Sequence, residues 1–172
     1  MSIRKTWSAV CETELNNQIK REYTASLYYH QLSAYFNRSD VADLGVLSPY
    51  FNNCSLEERE HAHMLMEYQT KRGGIVELDS IQTTPVVFKT DNKALEALTY
   101  ALELEQNINS DLLNIHELAT KENDPHFCDF LGTHFLNEQV EAIYKLQKLV
   151  SQLTAFGDDL YGIYKLIDDE LA

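Results

Sequence analysis

The sequence predicts an all-α protein, a four-helix bundle with one long crossover and a short fifth helix at the C-terminus. Three observations predict this class. Six glycines and three prolines among 172 residues are few for an all-β fold, and the hydrophobic share of 44% is ordinary for a globular protein. Four long stretches carry helical periodicity, and only one connection between them is long. We expect one domain, residues 1–172, whose core needs no disulfide or metal to hold it.

Apolar residues repeat at helical spacing in five parts of the chain. The predicted helices cover residues 8–36, 44–71, 93–120 and 126–154, with a shorter one near 158–170. The start of the second helix has two interpretations. Ser48 and Pro49 fit either a capping residue followed by proline in the first position, or a distortion inside a longer helix.

The connections between these helices predict how the helices pack. Segments 37–40 and 121–125 are short and polar, so the helices on either side of each should be antiparallel neighbours. Residues 72–92 form a much longer connection. A helix of about 28 residues is ~42 Å long and 20 extended residues reach at most ~70 Å, so this segment can run the length of the bundle. The second and third helices are then parallel, as in bundles with one crossover.

Charge and cysteine content narrow the class of function. Twenty-seven acidic and fourteen basic residues give a net charge of −13, which argues against nucleic acid and for cations as partners. Many proteins, however, are acidic only to remain soluble. Cys11, Cys54 and Cys128 are too widely spaced for a zinc motif or a disulfide framework, which fits a reducing compartment. The N-terminal residues contain no apolar signal segment and no later window resembles a membrane span, so we expect no membrane partner and a cytoplasmic location.

The predicted buried face of the second helix contains charged residues. It runs at alternating steps of four and three through Leu47, Phe51, Cys54, Glu58, His61, Leu65 and Tyr68. Off this face, towards solvent or a neighbouring subunit, lie Glu57, Glu60, His63 and Glu67. Taken alone, the segment SLEEREHAHML is more typical of a solvated face in which Ser55 and Glu58 form a capping box.

The other three helices interrupt their apolar faces in the same way. Glu22 and Tyr29 lie one heptad apart on the first helix. Glu105 takes the corresponding place on the third helix, and Gln139 on the fourth. Each of these residues is near the middle of its helix, and mid-helix positions of an antiparallel bundle meet at one level. Any one of them could be a satisfied core polar group, Tyr29 most easily, because its hydroxyl needs only one partner.

Three buried carboxylates at one level are harder to explain without a cation. Burying an ionised carboxylate without a partner costs several kcal/mol, and these faces carry no lysine or arginine. Three carboxylates and the imidazole of His61 suit iron or manganese better than metals that prefer thiolates. Some bundles hold two metal ions with one Glu from each of two helices and a Glu-x-x-His pair from each of the others. The pattern therefore favours a metal cluster.

Several segments resemble, in order, the signatures of animal ferritins of the heavy, catalytic type. They are REYTASLYY, SLEEREHAHML, QTKRGG, ALELEQNIN, KENDPHFCDF and FLNEQVEAI, within about residues 8–155, and the C-terminal segment matches only loosely. The resemblance implies a shell of twenty-four ferritin-like subunits, a homo-oligomer or one co-assembled with other ferritin chains. Such a shell is a ferroxidase that takes up Fe(II), oxidises it with O₂ and stores Fe(III) mineral inside.

The same resemblance implies roles for particular residues. The metal ligands would be Glu22, Glu58, His61 and Glu105, with Tyr29 and Gln139 beside them. On the inner surface Glu57 and Glu60 match two acids thought to nucleate mineral, but the third position is His63. At the three-fold channel Asp129 is present, whereas the expected glutamate is Gly132. We therefore expect weaker nucleation and slower cation entry.

One departure from the bundle rule bears on mechanism. The fourth helix carries Gln139 and Ala142 where a second Glu-x-x-His pair is expected, so the second metal position has fewer and weaker ligands. Such a position suits a product that leaves, and it argues against a fixed di-iron cofactor. In the implied mechanism Glu58 bridges two Fe(II), Glu105 with Gln139 holds the second one loosely, and O₂ takes electrons from both.

Three related classes are alternatives. A non-catalytic storage subunit of the light-chain type lacks several of the site residues that are present here. A DNA-coating mini-ferritin usually carries a basic tail, which neither end of the sequence contains. Haem binding between subunits needs a suitably placed methionine, and the sequence does not place Met64 or Met66.

Overall fold

The computed structural model describes residues 7–41 and 45–157, and beyond these only residues 162, 165, 166 and 171. The described residues form helices and connecting segments, without a strand. The helices are α1 (Ala9–Phe36), α2 (Leu47–Lys71), α3 (Lys93–Lys121), α4 (Pro125–Leu131) and α5 (Asn137–Phe156). A π-helical turn, Gly132–Leu136, joins the last two, and the three pieces together form the fourth helix of the bundle. The predicted four-helix class is confirmed.

The short C-terminal helix predicted near 158–170 lies mostly outside the described residues. The described positions in and beyond that segment are helical, and two of them, Leu166 and Leu171, pack against the core. These positions confirm a short fifth helix at the C-terminus. In the described part of the chain no helix combines the length and the apolar composition that crossing a membrane requires.

The ends of the helices follow local chemistry. The Asn92 side chain accepts a hydrogen bond at 3.1 Å from the main-chain N–H three residues later, at the start of α3. Asp124 does the same at 3.0 Å at the start of α4. Pro49 fits neither interpretation of the sequence, because α2 begins at Leu47 and places this proline in its first turn, where a missing N–H costs little.

The long connection between α2 and α3 runs along α1 from one end of the bundle to the other. Near the start of α1, Asn16 donates a hydrogen bond to the Ile75 carbonyl at 2.9 Å. Near its end, the ring centroids of Tyr35 and Phe88 lie 4.6 Å apart. α3 therefore begins at the end of the bundle where α1 stops and α2 starts. This makes α2 and α3 parallel, as the length of the connection predicted.

Two apolar clusters fill the bundle, one towards each end, and each draws residues from all four helices. Leu15 and Leu65 belong to one cluster, and Leu32 and Leu98 belong to the other. Between the two clusters, at the middle of the bundle, lie the buried polar residues Glu22, Glu58, Glu105 and Gln139. We call this group the polar layer. The apolar clusters shield it from water on two sides, so charges within it interact strongly.

The π turn keeps one face of the fourth helix directed inward. Buried residues on this helix follow one another at steps of four, from Phe127 through Leu131 and Phe135 to Gln139. In a regular α-helix each step of four overshoots the face by about 40°, because one turn holds 3.6 residues. The wider π turn absorbs part of this rotation. Gln139 consequently joins the polar layer and is only 7% exposed.

Candidate metal centre

Three side chains of the bundle's middle converge closely enough to hold one cation. Glu22 comes from α1, and Glu58 and His61 come from α2, where a spacing of three residues puts them on the same face. One ligand atom from each lies within 4.8 Å of the other two. Glu22 is fully buried, Glu58 is 5% exposed, and the His61 side chain is 17% exposed. The cluster is therefore largely removed from water.

Glu22 has one satisfied and one unsatisfied carboxylate oxygen. Gln18 donates a hydrogen bond to Oε1 at 2.7 Å. Oε2 is buried, and within the described residues no N–H or alcohol group donates to it; the group that interacts with this carboxyl most strongly is the carboxyl of Glu58. Burial, followed by the charge of Glu58, holds the pKa of Glu22 well above its usual value. A buried carboxylate oxygen without a donor is a group that a cation would stabilise.

Glu58 interacts with both other acids of the polar layer. Burial raises the pKa of Glu58 to about 8, and repulsion from Glu105 adds to the shift. Burial also raises the pKa of Glu105, although a hydrogen bond from Tyr29 acts in the opposite direction. The pKa of each of the three acids is therefore raised, so each binds a proton more tightly than a free glutamic acid does. A cation that binds them would displace the protons that they hold.

Glu105 is held by two donors. The Tyr29 hydroxyl donates to Oε1 at 2.5 Å, and the Gln139 amide donates to Oε2 at 3.0 Å. Burial raises the pKa of Tyr29 well above its usual value, so Tyr29 keeps the proton that it donates. Ala142 lies near Glu105 in the same cavity but has no ligand atom. Among the described residues that line this cavity, Glu58 is the one other buried carboxylate that a cation beside Glu105 could bind.

A cavity of about 290 Å³ lies against the polar layer and opens towards solvent. Its buried side includes the site residues Tyr29, Glu58, Glu105 and Gln139. Its exposed side carries three further acids, Glu57, Glu138 and Glu141, and one lysine, Lys145, so the acids outnumber the base. A cation that enters this cavity meets negative charge before it reaches the buried acids.

The structure separates the other predicted residues from the polar layer. Glu57 lines the exposed end of the cavity, whereas Glu60 lies on the exposed surface of α2 and does not line it. His63 is also exposed and lies 3.3 Å from Glu67. Asp129 lines a different cavity, of about 320 Å³. The nucleation and channel roles of these residues stay predictions.

Two residues of the site were not found from the sequence. Glu138 lies 3.1 Å from His61 Nε2, and Gln18 donates to Glu22. Glu138 is half exposed and directly precedes Gln139, so the pattern of apolar residues gave no sign of its role. Gln18 lies four residues before Glu22, a helical spacing that could have identified it as a partner.

These observations define a class of protein, a four-helix bundle with a carboxylate-rich candidate metal centre in its core. The donor set of three carboxylates and one imidazole suits iron(II) and similar divalent cations. A family model described as a ferritin-like domain matches residues 12–156 of the sequence. The chain belongs to the ferritin family.

Ferritins from plants and from a fish are similar to this chain. Chloroplastic ferritin-4 of Arabidopsis thaliana is 47% identical over 90% of this chain and 60% of its own length. Chloroplastic ferritin of Malus baccata var. xiaojinensis is 46% identical over 90% of this chain and 62% of its own length. The ferritin middle subunit of Salmo salar is 45% identical over 88% of this chain and 85% of its own length. The chain thus spans about three fifths of the plant relatives it matches.

The relatives confirm the family predicted from the sequence and correct the predicted location. The cytoplasmic prediction is wrong by this comparison, because the plant relatives carry the word chloroplastic in their names. That prediction followed from the lack of an apolar signal segment or membrane span. Segments that direct proteins to plastids are instead amphipathic and rich in serine and arginine, so apolar runs do not reveal them.

Proposed function

We propose that this protein is a ferroxidase-type ferritin subunit, similar to animal heavy chains, which oxidises Fe(II) with O₂ and stores Fe(III) mineral. Iron is its substrate and its stored product. One observation carries the proposal. Glu22, Glu58 and His61 bring ligand atoms within 4.8 Å of one another, and a buried oxygen of Glu22 has no donor in the described structure. Folding alone gains nothing from such an arrangement, whereas cation binding does.

In this proposal, residues of the polar layer together with His61 form two iron positions. Glu22 and His61 hold the first Fe(II). Glu58 bridges both positions, which is supported by its electrostatic interaction with Glu22 on one side and Glu105 on the other. Glu105 holds the second Fe(II). Each Fe(II) gives up one electron and O₂ accepts both, while the protein supplies position and negative charge.

The second position binds its iron loosely in this proposal. Both oxygens of Glu105 already accept a hydrogen bond, from Tyr29 and Gln139, so fewer of their lone pairs are free for iron. Ala142 contributes no ligand. A ferric ion in this position is therefore held by few groups. It can leave the site and join the mineral, as a substrate site requires.

The exposed acids are proposed to guide cations before and after oxidation. Glu57 and Glu60 would bind iron on the mineral side of the subunit, and Asp129 would draw cations through a channel between subunits. His63 and Gly132 replace an acid in each of these regions. Because each replacement removes a negative charge, we expect slower entry and slower nucleation than with the complete sets of acids.

The proposed assembly is a shell of twenty-four subunits, formed by this chain alone or together with other ferritin chains. Exposed apolar side chains on the outside of one chain support burial against neighbours, for example Leu27 on α1, Val87 in the crossover and Leu113 on α3. Light scattering on the purified protein measures the mass. A mass twenty-four times that of one chain supports the shell, and a monomer contradicts it.

The experiment that tests the function mixes apo-protein with Fe(II) in air and follows ferric absorbance against a buffer blank. We expect a rapid phase of about two Fe(II) per subunit, followed by continued uptake. Glu105→Ala should slow the rapid phase. Glu103→Ala is the matched control, because Glu103 lies two residues away on α3 and is exposed. Native oxidation no faster than the blank would instead support a non-catalytic storage subunit.

A further inference from the structure

Two residues of the fourth helix hold His61 in place. Its Nε2 atom lies 3.1 Å from Glu138 Oε2. Its ring centroid lies 5.5 Å from that of Phe135, with the ring planes 59° apart. Phe135 belongs to the π turn and Glu138 follows three residues later, so both reach α2 from the same side of the fourth helix. The fourth helix, which has no Glu-x-x-His pair of its own, therefore contacts His61, the histidine of the Glu58–His61 pair on α2.

The two contacts of the His61 ring are not equivalent. A neutral imidazole donates a hydrogen bond from only one of its two nitrogens. Nδ1 lies 3.3 Å from Glu58 Oε2, just beyond the range of about 2.7–3.2 Å that N–H···O bonds usually occupy. Nε2 lies 3.1 Å from Glu138, within that range. The distances favour a proton on Nε2, which leaves the Nδ1 lone pair facing the space that His61 shares with Glu22 and Glu58.

We propose that Glu138 is a positioning residue, an inference that rests on the proposed function. The Glu138 carboxylate accepts the Nε2 proton of His61 and so directs Nδ1 towards the iron. A carboxylate that accepts from the second ring nitrogen fixes the tautomer and the ring orientation of a metal-binding histidine, and it strengthens the imidazole as a donor. Glu138 acts from the cavity mouth, where its side chain is 51% exposed. The fourth helix, poor in ligands for the second iron, thus supports the first iron through His61.

The test uses Co²⁺ as the probe, because it favours ligands similar to those of Fe(II) and its visible absorption reports them. Titrations give the Co²⁺ affinity of the native protein, of Glu138→Ala and Glu138→Gln, and of the same two changes at Glu141. Glu141 is the matched control, since it lines the same cavity from the same helix and is exposed. Among the described residues, the ring nitrogens of His61 contact Glu58 and Glu138 and not Glu141.

We expect Glu138→Ala to lower the Co²⁺ affinity by about 10–100-fold, the usual effect of losing such a partner. Glu138→Gln should lose less, because its amide oxygen still accepts the Nε2 proton. The Glu141 variants should remain close to native. Equal losses in Glu138→Ala and Glu141→Ala would overturn the inference, since the two changes remove the same charge from the cavity and only Glu138→Ala removes the acceptor of the Nε2 proton.

A crystal structure of the Co²⁺-loaded protein gives a second readout. Co²⁺ on Nδ1 of His61, with Nε2 within hydrogen-bond distance of Glu138, supports the inference, and Co²⁺ on Nε2 overturns it. A His61→Ala variant separates the two proposals. If His61→Ala loses Co²⁺ and Glu138→Ala does not, only the positioning role of Glu138 fails. If the folded native protein binds no Co²⁺ in the polar layer, the proposed function fails and the inference fails with it.

Discussion

Glu58 occupies a place on α2 where an apolar side chain would pack more favourably. It is 5% exposed, and burial followed by repulsion from Glu105 raises its pKa to about 8. The apo-protein limits the cost of burying this acid by keeping it protonated at neutral pH. A cation would replace that proton. The same residue therefore weakens the fold slightly and, in the proposed function, serves as a metal ligand.

Replacing Glu58 with Ala and His61 with Gly should remove rapid Fe(II) oxidation and leave a folded protein. The free energy of unfolding of the apo-protein should hold or rise, because a buried ionisable pair is removed, although a helical glycine costs about 1 kcal/mol. Stopped-flow absorbance and guanidinium unfolding measure the two effects.

Leu65→Ala is the control for this double variant, since Leu65 lies on the same helix and is fully buried. It should lose about 2–5 kcal/mol of stability and keep the rapid phase. A double variant that fails to fold, or that oxidises Fe(II) at the native rate, would contradict the assignment of Glu58 and His61.

Cation binding should release protons at neutral pH. With a pKa of about 8, Glu58 holds most of its proton at pH 7 and loses it when a cation binds. Glu22 and Glu105, whose pKa values are also raised, act in the same direction. Zn²⁺ titrated into weakly buffered apo-protein should acidify the solution at pH 7. It should do so less at pH 9, where Glu58 is already ionised, and no release at pH 7 would count against the shifted acids.

Sequence spacing alone could identify the acids of the site because each interrupts an apolar face. Glu22, Glu58 and Glu105 stand where a core residue is expected, and a buried charge is conspicuous there. Glu138 could not be identified in this way. It lies at a half-exposed position where acids are common, and only the rotation of the fourth helix brings it to His61. Its role depends on the distance between two helices, which no spacing within one helix encodes.

Among the elements, the end of α2 is tied to the start of α4. Arg72 forms an ion pair with Asp124, and its guanidinium carbon lies 4.4 Å from the centroid of the Trp7 ring. Asp124 also accepts the Phe127 N–H and so caps α4. Burial by itself would raise the pKa of Asp124, but the hydrogen bonds from Arg72 and Phe127 outweigh it and lower the pKa. Arg72 thus links the end of α2 to Trp7, before α1, and to Asp124, at the start of α4.

Asp124→Ala should destabilise the apo-protein by about 1–3 kcal/mol, because it removes a helix cap and one partner of a largely buried ion pair. Asp124→Asn should lose less, since its side-chain oxygen can still cap α4. Because the pKa of Asp124 is lowered, its ionic contribution is present at neutral pH and fades as the pH falls below about 3.8. Guanidinium unfolding at pH 7 and pH 3 measures both effects, and an Ala variant as stable as native would exclude this role.

The helices could be predicted to within a few residues, whereas the π turn could not. Capping residues such as Asn92 and Asp124 mark helix starts in the sequence as well as in the structure. The turn Gly132–Leu136 leaves no comparable mark, because Gly132 weakens a helix without distinguishing a wider turn from a regular one. Its only trace is a run of buried positions at steps of four, which a regular helix also tolerates over a short length. The wider turn is a response to packing in the assembled bundle.

At the scale of the whole molecule, the apo-protein should become less stable as the pH rises from about 4.5 to above 8. Glu58 has an ordinary pKa of 4.5 when unfolded and about 8 when folded, so the folded state binds more protons in this window. Glu22 and Glu105 add to the same slope. Unfolding midpoints measured across the window should fall. Glu58→Gln, which cannot titrate, should flatten the curve, and an equally steep curve for this variant would contradict the prediction.

In the proposed function, the composition of the whole site decides whether iron passes through the protein or stays in it. The layer offers three buried carboxylates and one imidazole for two metal ions, and the fourth helix adds an amide at Gln139 and nothing at Ala142. A permanent metal pair needs a fuller set of ligands. Under the proposed function, the shortage at the second position fits a store, because only a site that empties can fill a mineral core.

Gln139→Glu with Ala142→His should make the site retain iron that the native protein releases. The double change restores a Glu-x-x-His pair on the fourth helix and adds a carboxylate and an imidazole beside the second iron. Ferric iron gains more than ferrous iron from an added carboxylate, since its charge is higher, so the product should bind more tightly. The first turnover should stay fast while later turnovers slow, and iron should remain on the variant after desalting. Gln139→Glu alone, with one added ligand, should lie between the variant and the native protein. The native protein should release iron from its site and take up well beyond two atoms per subunit. A native protein that kept a stoichiometric iron pair after desalting and stored nothing further would contradict the storage function. Iron would then be a fixed cofactor.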